Sequence, residues 1–465
     1  MQARPLRPVP SSVIKRGLAD RIIHSLAGRL VIRGLTRFTF VVFSVSALVA
    51  LLASKSVLSA LLLIFSWLTV VHICIEYVYN QKSSEYGQLF PDERTRLLRT
   101  CRDSRLVLSR AHDANESTVP ILKLNGNDPY ELGFGHGYLM HKEIQHLVNK
   151  FRRLLKCRIL KRDMPACHVP HTYLEEIRGL VDGYNEAHHL DPDTDEGALT
   201  ADLVLMYHLL ADSKQYDLVK PACTCILFDD QEEKRVLFGR NMDWLSFGSA
   251  GSLTLLIRTP TCAYWSPPGF IGVVTGMNPA GLCLAMNVFP GPRKRPVDFD
   301  NVDDLGMPST FLNRLILDTC SSLNDVDLAL SMPLNSALGA YHLTICEPSN
   351  DPRRNATYSF FGDNTYTVER GIPPGSDYRV VLNRNEETGE ESFDSSGRQR
   401  AIDARGIRLS QDVASCLRLS STNTFETVHQ FIFEPAKRRL IYTSANGFAG
   451  DQPFIAFNYS TLWMN

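Results

Sequence analysis

The strongest feature of the hydrophobic pattern lies near the start of the chain. Phe38–Ser54 carries no charged residue and is dominated by Phe, Val, Leu and Ala; Lys55 interrupts, and Ser56–Ile75 runs uncharged again up to Glu76. A membrane-spanning helix needs about 20 apolar residues and tolerates about 17. Both runs meet that length, and their close separation predicts a membrane hairpin over 38–76. Two buried helices of a soluble domain and a signal anchor are the competing readings. The long basic stretch ahead of the first run, with no small-residue cleavage pattern between the two, favours the hairpin.

Further along, the pattern changes period. Residues 77–119 are charged and irregular and read as a linker with helical pieces. Apolar residues at three and four spacing predict helices from Pro129 through Phe151, over Tyr173–Ala187 and over Thr200–Ser213. After Pro221, Cys225–Asp229, Arg235–Phe238, Leu253–Ile257 and Phe270–Thr275 read as consecutive strands. Asp300–Met332 looks helical again. His342–Cys346, Tyr378–Leu382, Thr427–Glu434 and Arg438–Thr443 return to strands. Helices in blocks and strands in antiparallel-looking runs predict α+β layering rather than a doubly wound sheet.

Composition narrows the class. The 465 residues are 44% hydrophobic and 21% charged, which excludes a wholly disordered chain. Lysine and arginine number 49 against 50 acidic residues, so a general nucleic-acid footprint is not expected. Charge is uneven, however: residues 1–37 hold eight basic residues against Asp20 alone, forming a basic arm. Apolar residues at near-helical spacing within it suit an anionic membrane surface, or a solvated arm. Basic residues on both sides of 38–76 (Lys82, Arg94 and Arg96 follow it) place both flanks, and the domain beyond, on the cytoplasmic side. The 11 cysteines, irregularly spaced, read as reduced and mostly buried.

The chemistry concentrates in Ala222-Cys223-Thr224-Cys225-Ile226, a turn, and then Gly239-Arg240-Asn241-Met242-Asp243-Trp244. If the flanks pair as a hairpin, Cys223 sits beside Arg240 and Asp243. A guanidinium favours a thiolate, and a carboxylate orients or accepts a proton. Zinc is a poor fit, because Cys223 and Cys225 lack two further spaced ligands. No metal or cofactor is expected. Trp244 either lines an acyl pocket or packs in the core; Asn278 either reaches that pocket or shapes a turn.

These residues resemble the start of the catalytic chain of the acid ceramidase and N-acylethanolamine-hydrolysing acid amidase group. More distantly they resemble the bile-salt hydrolases and the isopenicillin N acyltransferase group. All are N-terminal nucleophile hydrolases. Tyr130-Glu131-Leu132-Gly133, His136-Gly137 and 179–187 resemble the part of that family before the cut, and Asn423–Pro435 its terminal strands. The likeness covers about residues 120–460 and leaves the hairpin unaccounted for.

The resemblance implies an αββα sandwich, self-cleaved between Ala222 and Cys223 into two chains that stay associated. The pre-cleavage part would be 120–222 and the catalytic part 223–465. Residue by residue it implies Cys223 as nucleophile, Arg240 as its partner and Asp243 as the holder of its amine. Asn383 would donate to the oxyanion, although Leu382 stands where the family has threonine, and Arg398 would be the second arginine. The implied function is hydrolysis of N-acyl amides, lipid amides of the ceramide or N-acylethanolamine type first. The alternatives are acyl transfer to amino-acid or peptide-like amines and, in another class, a catalytically inactive membrane interaction protein. The intact Cys223, Arg240 and Asp243 set speaks against the last.

Overall fold

The fold is seen in a computed structural model. It describes residues 97–110, 118–155, 167–209, 223–243, 254–289, 306–419, 427–443 and 454–463, together with Asp212 and Thr422 and apart from 196, 363–364 and 392–393. The hairpin at 38–76 and the basic arm lie outside the described residues. Among the described residues, no helix is long and apolar enough to cross a membrane.

Two sheets face each other. The larger has ten strands in the order β1-β2-β3-β6-β7-β8-β9-β10-β11-β12, the smaller six in the order β13-β4-β5-β14-β15-β16. In the larger sheet β1 (Leu97–Cys101), β2 (Ser104–Arg110) and β3 (Thr118–Lys123) precede the helices. β6 (Leu255–Arg258), β7 (Ala263–Ser266), β8 (Thr275–Met277), β9 (Cys283–Val288), β10 (Ala340–Cys346), β11 (Asn355–Phe361) and β12 (Tyr366–Arg370) follow them. The smaller sheet holds β4 (Cys223–Asp230), β5 (Arg235–Asp243), β13 (Tyr378–Val381), β14 (Thr427–Glu434), β15 (Arg439–Thr443) and β16 (Phe454–Phe457).

Alternation along each strand sends one set of side chains into the space between the sheets and the other toward helices. Ile121, Leu227, Phe238, Trp265, Ala285 and Phe431 meet between the sheets. The larger sheet's outer face packs on α1 (Pro129–Leu139), α2 (His141–Leu155), α3 (His171–His188), α4 (Ala201–His208), α5 (Ser309–Thr319) and α6 (Leu323–Leu330). The smaller sheet's outer face packs on α7 (Ser395–Arg405) and α8 (Ser410–Leu417). A short α9 (Tyr459–Trp463) follows the last strand. The expected αββα layering is present.

Two expectations need correction. Of the linker expected at 77–119, Leu97–Cys101, Ser104–Arg110 and the start of β3 at Thr118 belong to the larger sheet, and β3 pairs parallel with β6. These strands are short and charge-rich, with Arg102, Asp103 and Arg105 exposed, so their local pattern does not announce them. Pairing with a strand about 130 residues later forms them. Second, of the strand expected over Phe270–Thr275 only Thr275 is in a strand. The Gly269 N–H donates to His136 Nε2 at 2.9 Å, the Ile271 N–H to His208 Nε2 at 2.8 Å, and the Val273 N–H to the Thr310 carbonyl at 2.9 Å. Helix side chains and a helix carbonyl take the place of a strand partner. Burial holds His136 at a pKa of about 3 and His208 at about 4, so both rings stay neutral and can accept.

Helices α1 and α3 touch backbone to backbone through four glycines, each pair four residues apart. A Cβ on Gly133 would lie 1.9 Å from the Glu176 carbonyl oxygen, and one on Gly179 would lie 2.0 Å from that of Tyr130. Gly137 and Gly183 are equally closed by Leu180 and Phe134. Any side chain there would drive the helices apart.

Beneath that contact Glu176 is fully buried, 3.5 Å from the Arg314 guanidinium, whose Nε also bonds Asp318 at 2.9 Å. Burial pushes the Glu176 carboxyl up to about 7, against the pull of Arg314. A folded-state pKa raised above the unfolded value of 4.5 gives stability that is full below about 4.5 and lost as pH rises through about 7. Glu176→Gln should remove that slope. Thermal melts at pH 4.5 and pH 8 should show the variant gaining on the wild type by about 3 kcal/mol across the interval. Parallel curves for the two proteins would show that Glu176 does not titrate there.

Candidate active site

Strand β4 begins at Cys223, and its antiparallel register with β5 sets the site. Cys223 lies opposite Met242, Thr224 opposite Asn241, and Cys225 opposite Arg240. Cys223, Cys225, Arg240 and Met242 therefore share the face between the sheets, while Thr224, Asn241 and Asp243 point toward α7 and α8. The expected neighbourhood of Cys223, Arg240 and Asp243 is present, but the two partners stand on opposite faces of the sheet.

Arg240 is completely buried. Its Nε donates to Thr275 Oγ1 at 3.4 Å, Nη1 to the Asn241 carbonyl at 2.7 Å and Asn287 Oδ1 at 2.9 Å, and Nη2 to the Met286 carbonyl at 2.6 Å. Burial works against its charge, yet the Cys223 and Cys225 sulfurs and the Asp243 carboxylate raise its pKa overall. Cys225 donates through Sγ to Asn287 Oδ1 at 3.1 Å, and burial pushes its thiol up to about 12. Cys225 packs as a neutral thiol, in keeping with its expected role.

The Cys223 backbone is gripped from the helix side. Its N–H donates to Asn383 Oδ1 at 2.5 Å, and its carbonyl accepts from Arg398 Nη1 at 2.6 Å. Arg398 reaches in from the first turn of α7, where Asp394 caps the helix by accepting the Gly397 N–H. It also donates to Thr224 Oγ1 at 3.1 Å and, through Nη2, to Asn383 Oδ1 at 3.1 Å and Ser395 Oγ at 3.0 Å. Burial lowers the Arg398 pKa, opposed by Asp243 and Cys223. The Asp243 carboxylate accepts from the Thr427 hydroxyl.

Asn383 is arranged otherwise than expected. Its Nδ2 donates to the Val288 carbonyl at 2.6 Å, and its oxygen faces Cys223. In the uncut chain the Cys223 nitrogen is a peptide donor that needs an acceptor, and Asn383 supplies one.

Asn278 is not brought to this site. Its Nδ2 donates to the Leu317 and Cys320 carbonyls, and its Oδ1 accepts the Gly281 and Leu282 N–H groups, so it shapes the β8–β9 turn and ties it to the end of α5. Ala222 and Trp244 lie outside the described residues. A small apolar cavity lined by Ile144, Leu147, Val204, Pro268 and others lies in the helical layer and includes none of the site residues.

The structure adds Asn287 to the set, which bridges Cys225, Arg240 and, through Nδ2, the Val381 carbonyl at 2.8 Å. The signal for it was an asparagine inside Leu284-Ala285-Met286-Asn287-Val288, a polar side chain in a wholly buried strand. Among the described residues, no group of three His, Cys, Asp or Glu side chains could hold a metal ion.

Comparison with known proteins places these strands. The family model described as acyl-coenzyme A:6-aminopenicillanic acid acyl-transferase matches residues 230–351, which includes Arg240, Asp243 and Asn287 and starts beyond Cys223. An uncharacterized protein of Archaeoglobus fulgidus is 26% identical over 213 residues, covering 38% of this chain and 34% of that protein; the match thus spans about a third of the relative. Among solved structures, the Caenorhabditis elegans N-acylethanolamine-hydrolyzing acid amidase ortholog is 15% identical at a TM-score of 0.39, covering 50% of this chain and 99% of that one. A variant of the conjugated bile acid hydrolase of Clostridium perfringens is 12% identical at 0.32, covering 51% and 97%. The family match runs across β5 to β10, so these strands of the αββα sandwich are similar to that acyl-transferase family.

Proposed function

We propose that the chain is a self-processing cysteine amidohydrolase that cuts itself between Ala222 and Cys223 and then cleaves N-acyl amides. The observation that carries this reading is the grip on Cys223: Asn383 holds its nitrogen, Arg398 holds its carbonyl, and its side chain shares a buried face with Arg240. Once cut, residue 223 has an α-amine with an ordinary pKa of about 7.7, suited to act as general base near neutral pH. The thiol proton passes to that amine and the sulfur attacks the amide carbonyl. Asn383 Nδ2 turns from Val288 to the oxyanion, the amine leaves with the proton, and water or an acceptor amine then releases the acyl group from the thioester. Asp243 keeps the α-amine in place.

Lipid amides come first as substrates, because a hairpin at 38–76 with both flanks cytoplasmic would hold the site at a bilayer surface. Acyl transfer to amino-acid or peptide-like amines is the second reading, favoured by the match with an acyl-transferase family. Purified protein on a denaturing gel should show two fragments, the second beginning at Cys223, and should hydrolyse N-acyl amides. An intact single chain that hydrolyses them overturns the self-processing step, and processed protein inert toward all amides overturns the activity.

Deleting residues 1–80 should move the protein to the soluble fraction and leave hydrolysis of a short soluble amide in place. Among the described residues the first strand begins at Leu97, so the deletion spares every described strand of both sheets. A truncated chain that aggregates would show that the apolar runs belong to a soluble core.

A further inference from the structure

One buried side chain on the nucleophile's own face has no role in the scheme above. Across β4, β5 and β14, Cys225, Arg240 and Phe431 form one row, and Cys223, Met242 and His429 form the next. His429 is 1% exposed, its ring packs edge-on against Phe431 at 4.4 Å, and among the described residues neither ring nitrogen has a hydrogen-bond partner. An imidazole buried with both nitrogens unmatched carries a cost that a bound partner would relieve.

The surroundings define that partner. Burial and the neighbouring Arg240 cation hold the ring neutral, so it offers one donor and one acceptor and no charge. Arg240 donates four of its five N–H groups to protein oxygens, and its charge lies close enough to His429 to act on the ring. Two interstrand steps of about 4.8 Å separate the Cys223 and His429 backbones, with the flexible Met242 side chain between them. A substrate chain that runs from the Cys223 sulfur across Met242 would reach the imidazole within a few bonds.

We propose that His429 is a specificity-determining residue that hydrogen-bonds an uncharged polar group of the substrate, such as a hydroxyl, lying over Met242 a few bonds from the attacked carbonyl. This rests on the amidohydrolase reading. It selects against an apolar group, which leaves the ring unmatched.

The test uses the full processed protein and four short-chain amides. Two vary the amine side, with a hydroxyl or a methyl two carbons from the amide nitrogen; two vary the acyl side likewise. In one of the two series the wild type should favour the hydroxyl compound over the methyl compound in kcat/KM by about tenfold, the worth of one neutral hydrogen bond. His429→Leu should bring the hydroxyl-to-methyl ratio to about one, and His429→Gln, which keeps a donor and an acceptor, should retain more of the preference. Wild type hydrolysing the amides with ratios near one in both series overturns this inference alone, as does a preference that survives His429→Leu. Wild type hydrolysing none of the four overturns the amidohydrolase reading and this inference together.

Discussion

Cys223→Ala should accumulate as one full-length chain and hydrolyse no amide. The substitution removes the sulfur that attacks the Ala222–Cys223 peptide while leaving the backbone contacts to Asn383 and Arg398 in place, so the fold should persist. With neither nucleophile nor freed amine, activity should fall by at least about 1000-fold, the scale on which removing a nucleophile acts. A gel and a hydrolysis assay on the same preparation read both effects. Fragments appearing unchanged in the variant would mean that an outside protease makes the cut.

Asn383→Ala should lower kcat about 100- to 1000-fold with little change in KM, because the lost donor acts on charge that exists mainly in the transition state. It should also slow processing, since the same side chain accepts the Cys223 N–H before the cut. Asn383→Asp separates the two roles. It keeps an acceptor for the nitrogen, so processing should recover in part. Its carboxylate would face the Val288 carbonyl and the oxyanion, so turnover should be at least as poor as in the alanine variant. A processed Asn383→Ala protein with near-normal turnover would move the oxyanion role to Asn287.

Much of this site was legible in the sequence, for a local reason. Cys223, Arg240 and Asp243 lie on two strands joined by a tight turn, so alternation and a hairpin register bring them together. Arg398 and Asn383 carried no such signal and came only from family resemblance, since the smaller sheet and α7 assemble them from 160 or more residues away. His429 was invisible for the same reason: it reaches the Cys223 row through β5, and nothing near it in the chain marks a site. Asn278 misled in the opposite direction. An asparagine in a glycine-rich turn reads equally as a pocket residue or a turn former, and only its four backbone partners decide. The layered architecture followed from blocks of helix and strand, whereas β1 to β3 did not, because they are short and charge-rich and β3 joins the sheet through a partner about 130 residues later.

The parallel pairing of β3 with β6 gives a cut before Cys223 an irreversible character. Leu106, Leu122, Leu132 and Leu180 on one side of the cut share a core with Leu255, Ile257, Phe311 and Leu343 on the other. The contact between the two pieces would thus be a domain interior divided after the fact, with the density of a core rather than of a docking surface. Such a contact would hold the pieces together but would not encode a route back, because the cut would remove the connection that brought β3 to β6. The uncut chain alone would carry the folding instructions, and protein cut before Cys223, once unfolded, should not regain its structure when the denaturant is removed.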